Sequence, residues 1–434
     1  MNQSFQPNNI VRQSTSICLK TIDKNNKEDS LDSKMGMCTV NGYWFVTLIV
    51  LLLCTFIYIF IWLAHRIDLF GRYYATLYYF LAKRFNITYV HSHMKNPTNT
   101  ERNVFGLINF YSPKIYWLMC LDSCRINAYE NAIRQYEHEP EKAVWLDIGT
   151  GAHMPLARLL IKYGVAKHVH AVEANCQTYQ FAKHLREQVS EEEKRKISLH
   201  GCYSSDIYWC EQDPRPNAII HEIVGSISSD EGCIKVMHDT IERLHGNISF
   251  CIPYQIGTLC IPVSQPRISL ISSLCSFLLG KSMRIIKHIG IQGMVNPPKN
   301  AFLCDTPQLI EDFILKDYTA KPLEKCRIYT TKFIVTSSAA RWSGFYLAPY
   351  ILTSKDNKNG SVEIDALRCL TSWPVRYVQM YDHENGIHVR QGDEICVKFE
   401  SDLTNECPTY RLEAWVNNSY LVRSSFAWRG PAIN

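Results

Sequence analysis

Four apolar runs between residues 143 and 222 each end at an acidic residue, and helical stretches fall between them. The first, AVWLDIG, ends at Asp147 and runs on into Gly149-Thr150-Gly151. The second, HVHAVEAN, ends at Glu173; the third, ISLHGCYSSD, ends at Ser205-Asp206; the fourth, NAIIHE, ends at Glu222. MPLARLLIKYG, closed by Gly164, and QTYQFAKHLREQVSEEEKRK have helical spacing. Strands alternating with helices specify a parallel sheet covered on both faces. In such a sheet ligands bind beyond the carboxyl ends of the strands. One acid at a strand end reads most simply as a helix cap or a solvated loop residue. Four in succession point into one cleft.

Gly149 and Gly151 let backbone approach a ligand closely, and their loop opens a helix N-terminus. Glu173 closes the second strand 26 residues after Asp147, where an acid can accept from both hydroxyls of a ribose. That spacing suits any nucleoside cofactor. NAD is disfavoured, because the third glycine of its fingerprint is absent and Met154 stands in its place. S-adenosylmethionine fits better, having a ribose and adenine but no pyrophosphate to cradle.

The rest of the chain divides by composition. Residues 1–42, rich in Asn, Ser, Lys and Asp, read as a disordered tail. Residues 43–64, YWFVTLIVLLLCTFIYIFIWLA, carry no charge over 22 positions and have aromatics at both ends. As a helix they would reach about 33 Å, enough to cross a bilayer, and they are too long for the apolar core of a cleaved leader. Arg66, Arg72, Lys83 and Arg84 follow the run, which places the C-terminal side in the cytosol. The 17 cysteines agree, being odd in number and without a CxxC pair. Cys120 and Cys124 have no histidine cluster to complete a metal site, so none is expected. A net charge of +5 over 434 residues, without a basic run, gives no footprint for nucleic acid. Residues 65–115 form an aromatic, basic connector. Residues 116–253 form the cofactor-binding α/β domain, and 254–434 an antiparallel β-barrel of short alternating strands. Residues 268–290, apolar without alternation, read as a core helix or as an arm for dimerisation or membrane contact.

Several blocks, in order, resemble the protein arginine methyltransferases from about Lys114 to the C-terminus. RINAYENAI is similar to the leading helix whose basic residue holds the cofactor carboxylate, which implies that role for Arg125. VWLDIGTG, HAVEAN and SSDIYW resemble the cofactor, ribose and adenine motifs, implying cofactor contacts from Asp147, Gly149, Gly151, Glu173, Ser205 and Asp206. HEIVGSISSDE is similar to the paired-glutamate loop, with Glu222 and Glu231 nine positions apart. LTSWPVRYVQM resembles a barrel segment beside the active site, which places Ser372 and Trp373 on the substrate side. The resemblance implies a Rossmann-like methyltransferase domain with a β-barrel, S-adenosylmethionine as cofactor, protein arginine as substrate, and a homodimer.

The paired acids suit that chemistry. A guanidinium is planar, always charged and a poor nucleophile. Two carboxylates can grip it, draw its charge to their side and turn a remaining nitrogen toward a methyl donor. Three departures stand out. His153 replaces a small residue in the glycine motif, and His221 precedes the first glutamate where the family often has Ser. Ser372-Trp373 resembles the symmetric-dimethylating branch. The expected function is a membrane-anchored arginine methyltransferase. Its rivals are a methyltransferase for a small-molecule or membrane-proximal substrate, and a catalytically silent membrane scaffold.

Overall fold

The structure is a computed structural model, and it describes residues 46–59, part of 76–84, 89–94 and, with short breaks, 116–267 and 290–429. The chain divides into an N-terminal unit, Met1–Phe56, and a main body, Ile57–Asn434. Residues 46–59 are described as one helical stretch. Its Leu51, Leu52, Phe56 and Tyr58 side chains are exposed.

Of the expected membrane span over 43–64, residues 46–59 are described. The described stretch of helix has 14 residues, about 21 Å at 1.5 Å each. No helix among the described residues is long and apolar enough to cross a membrane. Residues 43–45 and 60–64 lie outside the described part, as do the tail (1–42) and the candidate arm at 268–289.

In the main body β1 (Tyr89–Met94) comes first, followed by α1 (Ser123–Arg134). Asp122 caps α1 by accepting from the Arg125 amide at 3.1 Å. Then come β2 (Ala143–Ile148), α2 (Pro155–Lys162), β3 (Ala166–Val172), α3 (Cys176–Arg186), α4 (Glu191–Lys196), β4 (Ile197–His200), β5 (Ala218–His221), α5 (Cys233–Arg243) and β6 (Phe250–Ile252). The five strands β2 to β6 form a parallel sheet in the order β4-β3-β2-β5-β6. Strands β2 and β5 are buried along their whole length, which is why their sequences are near-continuous apolar runs. The helices carry their own start signals. Pro155 opens α2, Asn175 caps α3, and α4 has a capping box between Ser190 and Glu193 with three acids first and three bases last. After β2 the chain winds outward to β3 and β4, then returns to the other side at β5. The carboxyl ends of β2 and β5 therefore flank the crevice where winding reverses.

The remaining strands are antiparallel: β7 (Gln255–Val263), β8 (Gly290–Val295), β9 (Gln308–Ile314), β10 (Arg327–Ile334), β11 (Ala339–Trp342), β12 (Gly344–Leu352), β13 (Glu363–Asp365), β14 (Val375–Gln379), β15 (Ile387–Arg390), β16 (Glu394–Asp402), β17 (Thr409–Val416) and β18 (Ser424–Arg429). They are distributed over three sheets. One runs β1-β8-β14-β12-β7-β9 with β13 on β12, one runs β10-β16-β17-β18, and one pairs β11 with β15. Among the described residues these sheets do not close into a single hydrogen-bonded ring. One further difference from the sequence reading lies at β1. Within the expected connector, it pairs with β8, from Tyr89↔Val295 to Met94↔Ile291. One hydrophobic core runs under both sheet systems, including Trp145, Leu146 and Ile220 from the parallel sheet and Ile256, Phe313 and Phe345 from the antiparallel strands.

Candidate active site

The crevice at the sheet's winding reversal opens into a cavity of about 710 Å³. Its wall includes Arg125 from α1, the Gly149-Thr150-Gly151 loop after β2, Glu173 after β3, and both Glu222 and Glu231. One helix, two strand ends and the paired-glutamate loop thus bring together residues that the sequence singled out on four separate segments.

The glycine loop has the required geometry. Gly149 and Gly151 sit at φ +73° and +70°, a region costly for residues with a Cβ. At Gly151 the reason is also steric, since a Cβ there would lie 2.8 Å from the Tyr116 ring. Tyr116 lines the cavity and roofs this loop. Sequence reasoning missed it, because nothing in its neighbourhood marks it out from other aromatics. Glu173 is 6% exposed; its Oε2 accepts from the Gly151 amide at 3.0 Å and its Oε1 from the Asn175 amide at 2.8 Å. Each oxygen keeps a lone pair for a ligand hydroxyl. Burial holds this carboxyl above the usual range, and its backbone donors pull it back.

Other assignments change place. Asp147 does not face the cavity. It is fully buried, and its Oδ2 accepts from Thr150 Oγ1 at 2.6 Å and from the Ala157 amide at 3.2 Å. It therefore braces the glycine loop against the first turn of α2, and burial pushes its carboxyl up to about 7. Ser205 and Asp206 also lie off the cavity wall, which is built instead from Cys202, Tyr203 and Ser204. The short turn Ser204–Asp206 directs Ser204 Oγ to Thr240 Oγ1 on α5, at 2.7 Å, and leaves Asp206 exposed.

Arg125 is the hub on the other side. Its Nε donates to Glu222 Oε1 in an ion pair, its Nη1 donates to Ser372 Oγ at 3.1 Å, and its guanidinium stacks 4.5 Å over the Trp373 ring. Asp122 joins the two halves: its Oδ1 caps α1, and its Oδ2 accepts from the Ser372 amide at 2.6 Å. Ser372 and Trp373 therefore stand behind the cavity wall. Trp373 Nε1 donates to the Val224 carbonyl, which lies between the two glutamates. These two residues hold Arg125 and the acid loop.

Both histidines that depart from the pattern are placed. His153 lines the cavity and meets the Phe181 ring edge-on, with centroids 5.4 Å apart. His221 is fully buried; its Nδ1 accepts from the Ile223 amide at 3.3 Å, and its carbonyl accepts from the Tyr129 hydroxyl at 3.0 Å. Burial pushes its imidazole down to about 3, so it stays neutral beside Glu222.

No family model and no curated protein matches the chain. Solved structures do. Residues covering 73% of this chain match 98% of a chain from the PRMT1 enzyme–prozyme heterotetrameric complex of Trypanosoma brucei with AdoHcy, at a TM-score of 0.56 and 12% identity. A match to protein arginine methyltransferase 10 of Arabidopsis thaliana covers 72% of this chain and 95% of that one, at a TM-score of 0.51 and 17% identity. The fold is that of the protein arginine methyltransferases. The likeness extends across the parallel sheet and the antiparallel sheets together.

Proposed function

We propose that the chain is an S-adenosylmethionine-dependent methyltransferase acting on arginine side chains of proteins. The observation that carries this reading is one cavity whose wall includes the positive-φ glycine loop, Glu173, Glu222 and Glu231. When bound, S-adenosylmethionine supplies an electrophilic methyl group on a sulfonium. Glu173 accepts from the ribose hydroxyls, and the glycine loop brings backbone close to the cofactor. Glu231 and the face of Glu222 not used by Arg125 hold the substrate guanidinium. So held, the guanidinium would present one Nη to the methyl donor, whose C–S electron pair would stay on sulfur, and the proton shed by nitrogen would pass to solvent or to a carboxylate. Positioning and electrostatics supply the acceleration. The T. brucei neighbour is described with AdoHcy, the cofactor without its transferred methyl group, and as a heterotetramer. The cofactor and an oligomeric, homodimeric state are proposed here on that likeness.

Two finer readings belong to the proposal. Symmetric dimethylation rests on the pair Ser372-Trp373. Single-pass membrane attachment, with the catalytic body in the cytosol, rests on the uncharged run 43–64.

The test is calorimetric titration of S-adenosylmethionine into the purified full-length chain. Micromolar binding is expected, lost in Glu173→Ala, together with methylated arginine detected by mass spectrometry on a blocked Gly-Arg-Gly peptide. A folded chain that binds no cofactor would overturn the enzyme reading and leave the silent scaffold. Release of the chain from membranes by alkaline carbonate would remove the membrane reading alone.

A further inference from the structure

The three residues before Glu231 are held by the antiparallel strands. Ser228 donates its amide to Thr258 Oγ1 on β7 at 3.0 Å, and its hydroxyl donates to the Gly257 carbonyl. Ser229 Oγ donates to Glu311 Oε1 on β9 at 2.6 Å and lies 2.8 Å from the Tyr410 hydroxyl on β17. Thr258 Oγ1 donates to Glu311 Oε2 at 2.6 Å, and Thr258 and Glu311 are register partners across β7 and β9. Asp230, 1% exposed, feels the charge of Arg376 on β14. Ser228, Ser229, Thr258 and Glu311 are all fully buried.

A buried carboxylate is costly unless hydrogen-bonded. Each oxygen of Glu311 accepts from one hydroxyl, Oε2 from its neighbouring strand and Oε1 from the acid loop. We infer that Glu311 is a positioning residue for methyl transfer: it fixes the Ser228–Asp230 segment to the sheet and thereby sets the direction of Glu231. This deepens the proposed function and rests on it. Glu311 does not line the cavity, so its effect on transfer is through the loop. Burial pushes its carboxyl up to about 7, while the Ser229 and Thr258 hydroxyls draw it down and Asp230 raises it further. Its hydrogen bonds matter more than its charge, and a glutamine side chain has the same reach.

The experiment compares Glu311→Ala, Glu311→Gln and Ser229→Ala with the wild-type full-length chain. Three readouts are needed: S-adenosylmethionine Kd, kcat on the blocked Gly-Arg-Gly peptide, and amide hydrogen exchange. Glu311→Ala is expected to speed exchange across residues 225–232 at least tenfold and to lower kcat by about 10²-fold, the cost of a misplacement near 1 Å. Cofactor Kd should stay within about twofold, because the Glu173 end does not depend on this network. Ser229→Ala should act in the same direction, and Glu311→Gln should restore most of kcat. Unchanged exchange in Glu311→Ala overturns the inference whatever the activity. So does faster exchange with kcat unchanged, or a parallel loss of Kd and kcat. A wild-type chain that binds no cofactor defeats the proposed function, while the exchange result still decides the role of Glu311.

Discussion

Glu222→Gln is expected to abolish methyl transfer while leaving cofactor binding nearly intact. Arg125 already pairs with Glu222, so Arg125, Glu222 and Glu231 together carry a net charge of −1 (+1 − 1 − 1). A guanidinium substrate brings that group to neutrality. With glutamine at 222 the same group is neutral when empty and carries +1 when occupied. A buried, partly desolvated site holds an unbalanced charge poorly. The amide oxygen can still accept from Arg125 Nε, so α1 and the Ser372 contact should keep their places. Removing one electrostatic stabiliser of a transition state costs about 10²–10³ in kcat. The loss should therefore fall on kcat for the peptide, with the S-adenosylmethionine Kd within about threefold of wild type. Equal losses in both would show that Glu222 serves the cofactor end and sink the assigned role.

The second large effect is steric. Gly225→Ala would place a Cβ 1.5 Å from Asp230 Oδ1 and 3.1 Å from Glu231 Cγ. A side-chain carboxylate can usually swing aside. Asp230 cannot, being 1% exposed, with its Oδ2 accepting from the Ile227 amide at 3.4 Å. Overpacking of this kind costs about 1–3 kcal/mol, occasionally more. For a body of this size that lowers Tm by several degrees, roughly 2–4 °C per kcal/mol. The shift should reach Glu231 as well, so transfer should be lost beyond what the stability change explains. Thermal unfolding and kcat measured together give the check. The double variant Gly225→Ala/Asp230→Ala removes the colliding carboxylate, and part of the Tm loss should return. If Gly225→Ala unfolds like the wild type, the packing account of this loop is wrong.

The parallel sheet was legible because strands buried on both faces are near-continuous apolar runs, and β2 and β5 are, broken only by Asp147 and His221. Strand-end acids were legible for the same reason: a charge ends the run. Which way each acid turns was not. Asp147 and Glu173 both stand at the carboxyl ends of apolar runs, yet one braces the loop from behind and the other faces the cavity. The difference arises from hydrogen bonds to Thr150 and Ala157 on one side and to Gly151 and Asn175 on the other. Ser372 and Trp373 were placed on the substrate side because LTSWPVRYVQM resembles a barrel segment beside the active site, but Asp122, some 250 positions away, draws them behind Arg125. Glu311 left no trace in the sequence, since an acid in a strand reads as a solvated face until its partners are known. Strand β1 was missed because YVHSHM has neither apolar alternation nor a turn signal, and only its partner β8 makes it a strand.

That pairing decides where the chain can be shortened. Strand β1 covers the outer edge of β8, and no other strand among those described takes its place. A version beginning near residue 100 keeps every residue of the cavity wall and loses this cover. It would present a row of unpaired amides and carbonyls along β8, the kind of surface on which sheets join edge to edge. A soluble, assayable form should therefore begin before Tyr89, so that aggregation of a truncated chain is not mistaken for want of an active site.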